Sequence, residues 1–494
     1  MAMPEALPTV TLHGPKYRGV RKYLGGSPNA SGTALFGVPA HDRSVLKLDL
    51  ATGAVTQLEA RVPKGPFKWL RGVLANDGSV FCIPACANTV LRIHMDGTLE
   101  LLGEDIIPKG EWKWHGGQRA RDGNIYAIPA NAQQVLKIEP ELNRVSLIGP
   151  VLHAGIKNKW YGGITALDGS IWGMPFNAPS ALKIVPETGE VKEVGSLPSG
   201  GWKWHGGARC GEYIVGIPSH AMSVLLVHTP TETMTLVEHG IPGGYKWGGG
   251  VADGHVVGSC VWAVPSDASS LLRIVPSEGK LTVISGLSPI RNKWQGGVLG
   301  RDGHIYCIPC DAPHLLRIDP QTSEYTMHGD LGDAANKFQG AFVAKDGTIW
   351  ALPESCEQIL RVVPPAPAKV SANRPSSNGP SLPVRPTPPP LDSHSLEALR
   401  LVAAYKLAPS CRGRLSRACV ALYHALLAVD ATRGHVARAQ PRSRRQRHRV
   451  SERWLEWSGK RLAAVADAAV ADIALECGDD MNGMPLRLDS SPVG

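Results

Sequence analysis

The chain has 494 residues, 43% of them apolar, a length that exceeds one ordinary hydrophobic core and predicts at least two structural units. Its 55 glycines and 40 prolines favour many short strands joined by turns over long helices. Residues 366–494 hold 19 Lys and Arg against 11 Asp and Glu and so carry +8 of the formal charge of +9, which gives no reason to expect nucleic-acid binding by the preceding region.

The N-terminal region and the spacing of the cysteines indicate in which cellular compartment the protein resides. Residues 1–25 lack the uninterrupted apolar core of a secretory signal, and the sequence has no stretch of about 18 apolar residues. The cysteines follow no compact spacing pattern, which is typical of free thiols in a reducing environment. We therefore expect a cytoplasmic protein without a membrane contact.

An internal repeat dominates the first 364 residues. Its anchor is a lysine, then an aromatic residue, then usually any residue and a glycine pair. The anchors begin at Lys22-Tyr23, Lys68-Trp69, Lys113-Trp114, Lys159-Trp160, Lys203-Trp204, Lys246-Trp247, Lys293-Trp294 and Lys337-Phe338. Their successive spacings are 46, 45, 46, 44, 43, 47 and 44 residues, which is the length of a four-stranded propeller blade. The repeat predicts an all-β, eight-bladed β-propeller.

Each repeat divides into four short strands. A first apolar run leads to an Asp-Gly pair in six copies, as at Asp77-Gly78, and this pair indicates a hairpin turn in which both residues have positive φ. A second strand, such as that of residues 124–128, ends on proline, which cannot donate to a sheet. Two further strands complete the repeat, and the frequent Gly and Pro residues exclude long helices.

The two ends of the repeat region predict how the ring closes. Residues 9–14 resemble a fourth strand with no earlier partner, whereas the last anchor, at Lys337, is followed by only three strands. We expect the N-terminal strand to complete the last blade, which leaves no open sheet edge. A seven-bladed ring is the alternative if the irregular Gly-rich segment of residues 27–33 prevents the first blade from forming.

The remaining sequence predicts a linker and a helical tail. We divide the chain into the propeller (9–364), a Pro/Ser-rich linker (365–395), a basic helical tail (396–478) and a disordered C-terminus (479–494). The tail contains a basic run, Arg442–Arg449. This run is either a solvated connection between helices or a patch for nuclear import or nucleic-acid binding.

The anchor residues have two interpretations. A ring of eight lysine ammonium groups would attract an anionic small molecule or an acidic protein partner. Alternatively, each lysine stem lies across the aromatic residue of the neighbouring blade as a structural cation–π contact. The anchor aromatics themselves are expected to form the core between blades.

Two further sets of residues break the symmetry of the repeat on the face where the first strands begin. Two positions after each strand-ending proline stand His41, Cys86, Asn131, Asn177, His220, Asp267, Asp311 and Ser355. Directly after each anchor aromatic stand Leu24, Leu70, His115, Tyr161, His205, Gly248, Gln295 and Gln339. We select Asn131, Asn177, His115, Tyr161 and His205, with the eight lysines, as candidate binding residues. The alternative is that the short polar side chains satisfy turn backbone groups.

A catalytic alternative uses other members of the first set. His41, His220, Asp267 and Asp311 are the candidate catalytic residues, and Asp267 with Asp311 could hold Ca²⁺ or Mg²⁺. Two carboxylates are few for an all-oxygen site, so the first expectation is a propeller without a metal or cofactor.

The repeats, for example KWHGGQRARDGNIYAIPANAQQVLKIEP, resemble the propeller superfamily of NHL-repeat, virginiamycin B lyase and gluconolactonase-like proteins over residues 9–364. The gluconolactonase-like resemblance implies a divalent cation in the channel, for which Asn131, Asn177, Asp267 and Asp311 are partial matches. We expect a monomeric binding or scaffold propeller that recognises a protein partner or an anionic ligand. The alternative is a propeller enzyme of lyase or lactonase type.

Overall fold

A computed structural model describes residues 6–254 and 259–366 of the chain, and they form an eight-bladed β-propeller. Strand β1 (Thr9–His13) precedes the first complete blade. Blades 1 and 2 contain β2 (Tyr23–Pro28), β3 (Ala34–Pro39), β4 (Ser44–Asp49), β5 (Val55–Arg61), β6 (Trp69–Leu74), β7 (Val80–Pro84), β8 (Val90–Ile93) and β9 (Leu99–Leu102). Blades 3 and 4 contain β10 (Trp114–Arg119), β11 (Ile125–Pro129), β12 (Val135–Glu139), β13 (Arg144–Ile148), β14 (Trp160–Thr165), β15 (Ile171–Pro175), β16 (Ala181–Val185) and β17 (Glu190–Val194).

Blades 5 and 6 contain β18 (Trp204–Cys210), β19 (Tyr213–Pro218), β20 (Ser223–His228), β21 (Thr233–Glu238), β22 (Trp247–Ala252), β23 (Val261–Pro265), β24 (Ser270–Val275) and β25 (Lys280–Ser285). Blades 7 and 8 contain β26 (Trp294–Leu299), β27 (Ile305–Pro309), β28 (Leu315–Ile318), β29 (Tyr325–His328), β30 (Phe342–Val343), β31 (Ile349–Ala351) and β32 (Ile359–Val363). Two short 3-10 helices, Pro140–Leu142 and Pro276–Glu278, connect third and fourth strands.

The predicted ring closure is confirmed. Strand β1 pairs antiparallel with β32 from Thr9 opposite Val363 to His13 opposite Ile359, so the start of the chain supplies the fourth strand of blade 8. The Gln358 side chain adds a hydrogen bond to the Gly14 carbonyl at 2.6 Å. The irregular segment after the first anchor does not prevent blade 1, because β2 to β5 form a complete sheet.

A belt of backbone hydrogen bonds joins the blades on the face where the first strands begin. In blade 3, the carbonyl of Lys113 accepts the N–H of Ala130, the residue after the strand-ending proline, at 2.9 Å. The Ala130 carbonyl accepts the N–H of Lys159, the anchor of blade 4, at 3.0 Å. The same pair of bonds occurs at each blade, and the Lys22 N–H closes the ring by donating to the Glu354 carbonyl at 2.7 Å.

The anchor aromatics form the core between blades, as the sequence predicts. Trp114 of blade 3 is fully buried and packs with Phe81 and Ile83 of blade 2 as well as Ile125 of its own blade. Its indole N–H donates to the Gln134 carbonyl at 2.9 Å, so the ring is buried without an unsatisfied polar group.

The Asp-Gly turns differ from the prediction in their backbone conformation. In blade 2, the N–H of Gly78 donates to the Ala75 carbonyl, and Gly78 has φ of 86° whereas Asp77 has no positive φ. The loop is therefore a type I turn followed by a left-handed glycine. Asp occurs here because its carboxylate accepts the N–H of the residue two positions later, Ser79, at 2.9 Å.

The predicted linker, the helical tail and the basic run of residues 442–449 lie outside the described residues. Within the described part of the chain, no helix is both long and apolar enough to span a membrane.

The lysine contacts predict a measurable cost of removal. The buried Lys159 ammonium donates to the carbonyls of Ala130 and Ile156 at 2.9 and 3.4 Å. Because Lys159→Met leaves both carbonyls without this donor, we expect the free energy of unfolding to fall by about 1–3 kcal/mol in urea titrations of the full chain. The exposed neighbour Lys157 gives the control: an equal loss in Lys157→Met would contradict a structural role for the ammonium.

Candidate functional site

We call the side of the propeller that carries the anchors the anchor face. The first residue of β10, Trp114, lies opposite Pro129 at the end of β11, so the loop entering the first strand and the loop leaving the second lie together. This arrangement recurs in the other blades and confirms that the two candidate sets share one face.

The eight anchor lysines are buried, with 0–5% of their surface exposed. Each ammonium donates to the carbonyl of the residue three positions earlier. These acceptors are Gly19, Gly65, Gly110, Ile156, Gly200, Gly243, Ile290 and Ala334, at 2.7–3.4 Å. Burial lowers the pKa of Lys68, Lys113, Lys159, Lys246 and Lys293 to about 8. The geometry favours the structural interpretation of the lysine ring.

The cation–π contacts of the lysines differ from the expected ones. The ammonium groups of Lys68, Lys203 and Lys293 lie 5.9–6.0 Å from the ring centroid of the tryptophan that follows each of them. The contact is therefore made within a blade and not with the neighbouring blade. The reason is the carbonyl of the preceding loop, which draws each ammonium back over its own strand.

The set two positions after each proline contacts the next blade. In five blades its side chain accepts the N–H of the residue that precedes the next anchor lysine. These pairs are Asn131 with Asn158, Asn177 with Trp202, Asp267 with Asn292, Asp311 with Asn336 and Ser355 with Arg21, at 2.7–3.1 Å. This geometry favours the interpretation that these side chains satisfy turn backbone groups.

The four candidate catalytic residues are not bonded to one another in the described part of the chain, although the Asp267 charge acts on the pKa of His220. No hydrogen bond or ion pair within the described residues joins any two of His41, His220, Asp267 and Asp311. Asp267 also forms an ion pair with Arg291 at 3.2 Å. Residues 6–254 and 259–366 contain no group of three or more His, Cys, Asp or Glu side chains placed to hold a metal, so the Ca²⁺ or Mg²⁺ site stays a prediction.

A ring of strained residues forms the rim of the anchor face. The residue before each anchor lysine has a positive φ of 46–59° although none of the eight is glycine. They are Arg21, Phe67, Trp112, Asn158, Trp202, Tyr245, Asn292 and Asn336. Asn tolerates this conformation, but for the bulky residues it is costly, and such strain is concentrated at functional sites. Sequence analysis missed this set, although its position beside each anchor was visible.

Aromatic members of the rim form two groups. Phe67 and Trp112 have ring centroids 4.7 Å apart, with the Arg21 guanidinium 5.3 Å from Phe67. Trp202 and Tyr245 have ring centroids 5.4 Å apart and are 41% and 46% exposed. Such exposed aromatic surface is enriched at binding sites.

Inside the rim, the residue after each anchor aromatic and the residue after each strand-ending proline surround the opening of the central channel. We call these two sets the channel mouth. In blades 1 and 2 it is apolar, where Leu24, Ala40, Leu70 and Ala85 pack together. The proline-following residues continue as Ala130, Phe176, Ser219, Ser266, Cys310 and Glu354. The mouth therefore differs in chemistry from blade to blade.

The structure brings the predicted residues His115, Tyr161 and His205 into one aromatic group. The rings of His115 and Tyr161 stack with centroids 3.9 Å apart and an angle of 5° between planes. Phe176, which sequence analysis did not select, stacks on the other side of Tyr161 at 4.2 Å. The ring of His205 meets the edge of this stack, 5.4 Å from Tyr161.

Both imidazoles in this group are held neutral at pH 7. Burial, His205 and Arg71 hold the pKa of His115 well below its usual range. Burial and the Arg71 charge lower the pKa of His205 to about 4. The Nδ1 atom of His115 is buried and has no hydrogen-bond partner in the described part of the chain. These rings can therefore exchange hydrogen bonds with a ligand without adding charge.

Arg71 is the most distinctive residue of the channel. Arg71 directly follows the channel-mouth residue Leu70 in the first strand of blade 2 and lies inside a β-bulge. The equivalent position in each of the other seven blades is glycine. Those glycines have φ of 70–86°, and Arg71 has φ of 65°. A side chain begun at Gly25 would meet the Arg71 Cα at 3.5 Å, and one begun at Gly116 would meet the Arg71 Cδ at 3.7 Å, so this ring is crowded.

The Arg71 guanidinium has no hydrogen bond or ion pair with any described residue, yet protein surrounds the channel on all sides. Partial desolvation by the protein around the channel lowers the pKa of Arg71 although its side chain keeps solvent contact, and arginine keeps its charge at neutral pH. The side chain is exposed to solvent within the channel. Its charge reaches His115 of blade 3 and His205 of blade 5, which places it towards the channel centre. Arg71 was not among the residues selected from the sequence, where it only interrupts the usual glycine pair.

Glu354 is the only acidic residue of the channel mouth, and it is 7% exposed. Its carboxylate forms no hydrogen bond and no ion pair within 4.0 Å of a described cationic side chain. Burial raises its pKa to about 7, with Asp311 adding to the shift and with Arg21 and Lys22 opposing it. Glu354 was not selected from the sequence, although an alignment of the repeats would have identified it. It is the only charged residue at this position, where the other blades have Ala, Ser, Phe or Cys.

No protein-family model and no curated protein sequence matches this chain. Among solved structures, the Dos1 propeller aligns at 8% identity over 72% of this chain and 95% of its own, with a TM-score of 0.54. A streptogramin B lyase aligns at 12% identity over 73% of this chain and 98% of its own, with a TM-score of 0.48. A Kuenenia stuttgartiensis hydrazine synthase aligns at 13% identity over 71% and 97%, with a TM-score of 0.46.

These similarities concern the fold alone. The eight blades and the likeness to the Dos1 propeller confirm the β-propeller fold that the repeats predict. Identities of 8–13% transfer no activity or ligand from those proteins to this chain.

The shifted pKa of Glu354 predicts a pH-dependent stability. Because its folded pKa of about 7 exceeds the ordinary value of 4.5, the folded state binds more protons between these values and loses stability as pH rises. Glu354→Gln removes this loss. We expect the variant to gain about 2–3 kcal/mol over the wild type between pH 5 and pH 8 in urea titrations. The exposed Glu111→Gln variant should show no such gain, and a pH-independent difference for Glu354→Gln would contradict the burial argument.

Proposed function

We propose that this protein is a binding propeller that holds an anionic small ligand at the channel mouth of the anchor face, with Arg71 as its charged contact. The observation that carries the proposal is a guanidinium in the central channel without an anionic partner among the described residues. Because the guanidinium is exposed to the channel and forms no ion pair with a described residue, its five N–H donors can be directed at an anion. A bound carboxylate or phosphate would supply the missing partner, because the planar guanidinium forms paired hydrogen bonds with both groups.

The conformation of Arg71 supports the same proposal. A non-glycine residue with φ of 65° costs about 1–2 kcal/mol relative to glycine, and seven equivalent positions avoid this cost. Strained residues of this kind concentrate at ligand sites, where their geometry is held by the surrounding structure. The bulge directs the Arg71 side chain into the channel, which the belt and the regular strands around it keep rigid.

The surroundings of Arg71 suit an anion with an apolar or aromatic body. Neutral His115 and His205 can donate hydrogen bonds, and Tyr161 keeps its proton because burial raises its pKa to about 12. The half-buried rings of His115, Tyr161 and His205 offer contact area for carbon atoms, whereas the apolar residues of blades 1 and 2 are buried against one another. A few polar groups in a mostly apolar cleft are typical of small-molecule sites.

Substitution of Arg71 separates stability from binding. We expect Arg71→Gly to stabilise the propeller by about 1 kcal/mol, since glycine adopts the φ of 65° without strain. The same variant should bind hexanoate, hydrocinnamate and phenyl phosphate at least about tenfold more weakly than the wild type. Saturation-transfer NMR and calorimetry on the full chain measure the affinities of the wild type and of the variant for these anions. The corresponding alcohols serve as neutral probes.

Arg71→Lys is the matched control, because it keeps the charge and loses only the paired geometry. It should retain part of the affinity for the anions. The proposal fails if none of these anions binds, or if Arg71→Gly binds them as tightly as the wild type.

A second candidate function, recognition of a protein partner, is favoured by one observation. Trp202 and Tyr245 are 41% and 46% exposed on the rim, and aromatic residues of these types often carry the binding energy of protein interfaces. If a partner docks here, the double variant Trp202→Ala, Tyr245→Ala should lose a partner that cross-links to the wild-type protein. Leu142 is more exposed, at 64%, and lies at a third-to-fourth-strand connection, so Leu142→Ala is the control. Unchanged cross-linking in the double variant would exclude the rim as the interface.

A further inference from the structure

A corner of the channel mouth has hydrogen-bond acceptors but no donors to match them. Gln339 follows the anchor aromatic of blade 8, and Glu354 follows its strand-ending proline. The Gln339 amide donates to the Gln295 Oε1 at 3.2 Å, but its own Oε1 is buried and has no partner within the described residues. The Glu354 carboxylate is also buried and receives no hydrogen bond from them.

The equivalent residues of blade 4 place these two side chains in the same corner. Tyr161 and Phe176 occupy the corresponding positions, and their rings stack at 4.2 Å. Both also face blade 5, because Phe176 lies 5.0 Å from the Trp202 ring and Tyr161 lies 5.4 Å from the His205 ring. By this equivalence, Glu354 lies beside Gln339 and faces blade 1, while the Gln339 amide group is directed at Gln295 of blade 7. The influence of Arg21 and Lys22 on Glu354 agrees with that placement.

The nearby cations do not fill the corner. The Lys22 ammonium donates to the backbone carbonyls of Gly19, Glu354 and Cys356 at 2.9, 3.4 and 2.8 Å, so its donors are directed at the main chain and not at the Glu354 carboxylate. The Arg21 guanidinium lies against the Phe67 ring, with 5.3 Å between its carbon and the ring centroid. Asp311, the other charged group that acts on Glu354, is an acceptor itself.

We propose that the corner formed by Glu354 and Gln339 binds a protonated amine of the ligand, so that the ligand is amphoteric and spans the mouth from Arg71 to blade 8. An ammonium group carries three donors and no acceptor, which matches the two Glu354 carboxylate oxygens and the Gln339 Oε1, since none of them receives a hydrogen bond from a described residue. The positive charge would compensate the buried carboxylate. Arg71 in blade 2 and Glu354 in blade 8 flank blade 1, so the carbon chain between the two charges would cross the mouth beside that blade. This inference rests on the proposed function for the anionic end of the ligand.

Matched pairs of probes test the amine contact. Hexanoate and ε-aminocaproate have the same number of carbon atoms and differ in the terminal amine, as do octanoate and ω-aminooctanoate. At pH 8 we expect at least one aminocarboxylate to bind the full-length wild type about tenfold more tightly than its partner, because a buried charge pair forms. This advantage should vanish in Glu354→Gln and persist in the control Glu111→Gln, which removes an exposed carboxylate elsewhere on the anchor face. Lowering the pH from 8 to 6 should reduce the advantage, as Glu354 takes up its proton.

The outcomes distinguish this inference from the proposed function. Arg71-dependent binding of hexanoate or octanoate without any gain from the amine would overturn the inference and leave the proposed function standing. A gain that persists in Glu354→Gln would also overturn it. Hexylamine, which lacks the carboxylate, is the remaining probe: binding that depends on Glu354 but not on Arg71 supports the amine corner alone. If no probe binds, both proposals fail.

Discussion

The belt of backbone hydrogen bonds is the constraint on which the rest of the anchor face depends. Each blade contributes two bonds, one within the blade and one to the next, and the series returns to its start through Lys22 and Glu354. Because these bonds use main-chain atoms, they do not depend on which side chain stands at either position. They require the left-handed backbone just before each lysine, where residues as bulky as Trp202 are found. The buried lysines then satisfy the carbonyls of the same loops. A rigid frame of this kind allows the channel mouth to vary from blade to blade.

That variation gives the site its character. Apolar residues occupy one sector, stacked aromatic rings a second, and unpaired acceptors a third. Arg71 and Glu354 each depart from what the other blades have at the same position. Neither departure helps the ring to fold, since one strains the backbone and the other buries a carboxylate. Arg71 and Glu354 carry opposite charges and have no ion-pair partner among the described residues. A ligand with both charges would supply these partners. The likeness to other propellers contributes the fold to this argument and nothing about the ligand.

The architecture could be predicted from the sequence because short motifs that recur in every repeat determine the fold. The lysine-aromatic anchors, the strand-ending prolines and the unpaired strand near Thr9 were enough to predict eight blades and their closure. The site was harder to predict, since its contacts join residues of different blades. The acceptors of the Lys159 ammonium include a carbonyl 29 residues away, which no spacing rule indicates. Asp267 and Asp311 were candidate catalytic residues, but their carboxylates accept backbone N–H groups of the next blade. Glu354 was not selected, because alanine is the commonest residue at the equivalent position of the other blades. The sign of φ at Arg71 also depends on a bulge that becomes visible only in the sheet register.

The pairing of β1 with β32 has a consequence for how the protein is made. The strand that completes blade 8 leaves the ribosome first, and its partner at Ile359–Val363 emerges about 350 residues later. At synthesis rates of about 5–20 residues per second, the early strand waits roughly 20 to 70 s for the segment it must join. During that interval the nascent array has two unprotected ends, with the apolar surface of blade 1 exposed at one of them. Cellular chaperones that shield such surfaces therefore have a defined window in which to act, and it ends when the circle is sealed.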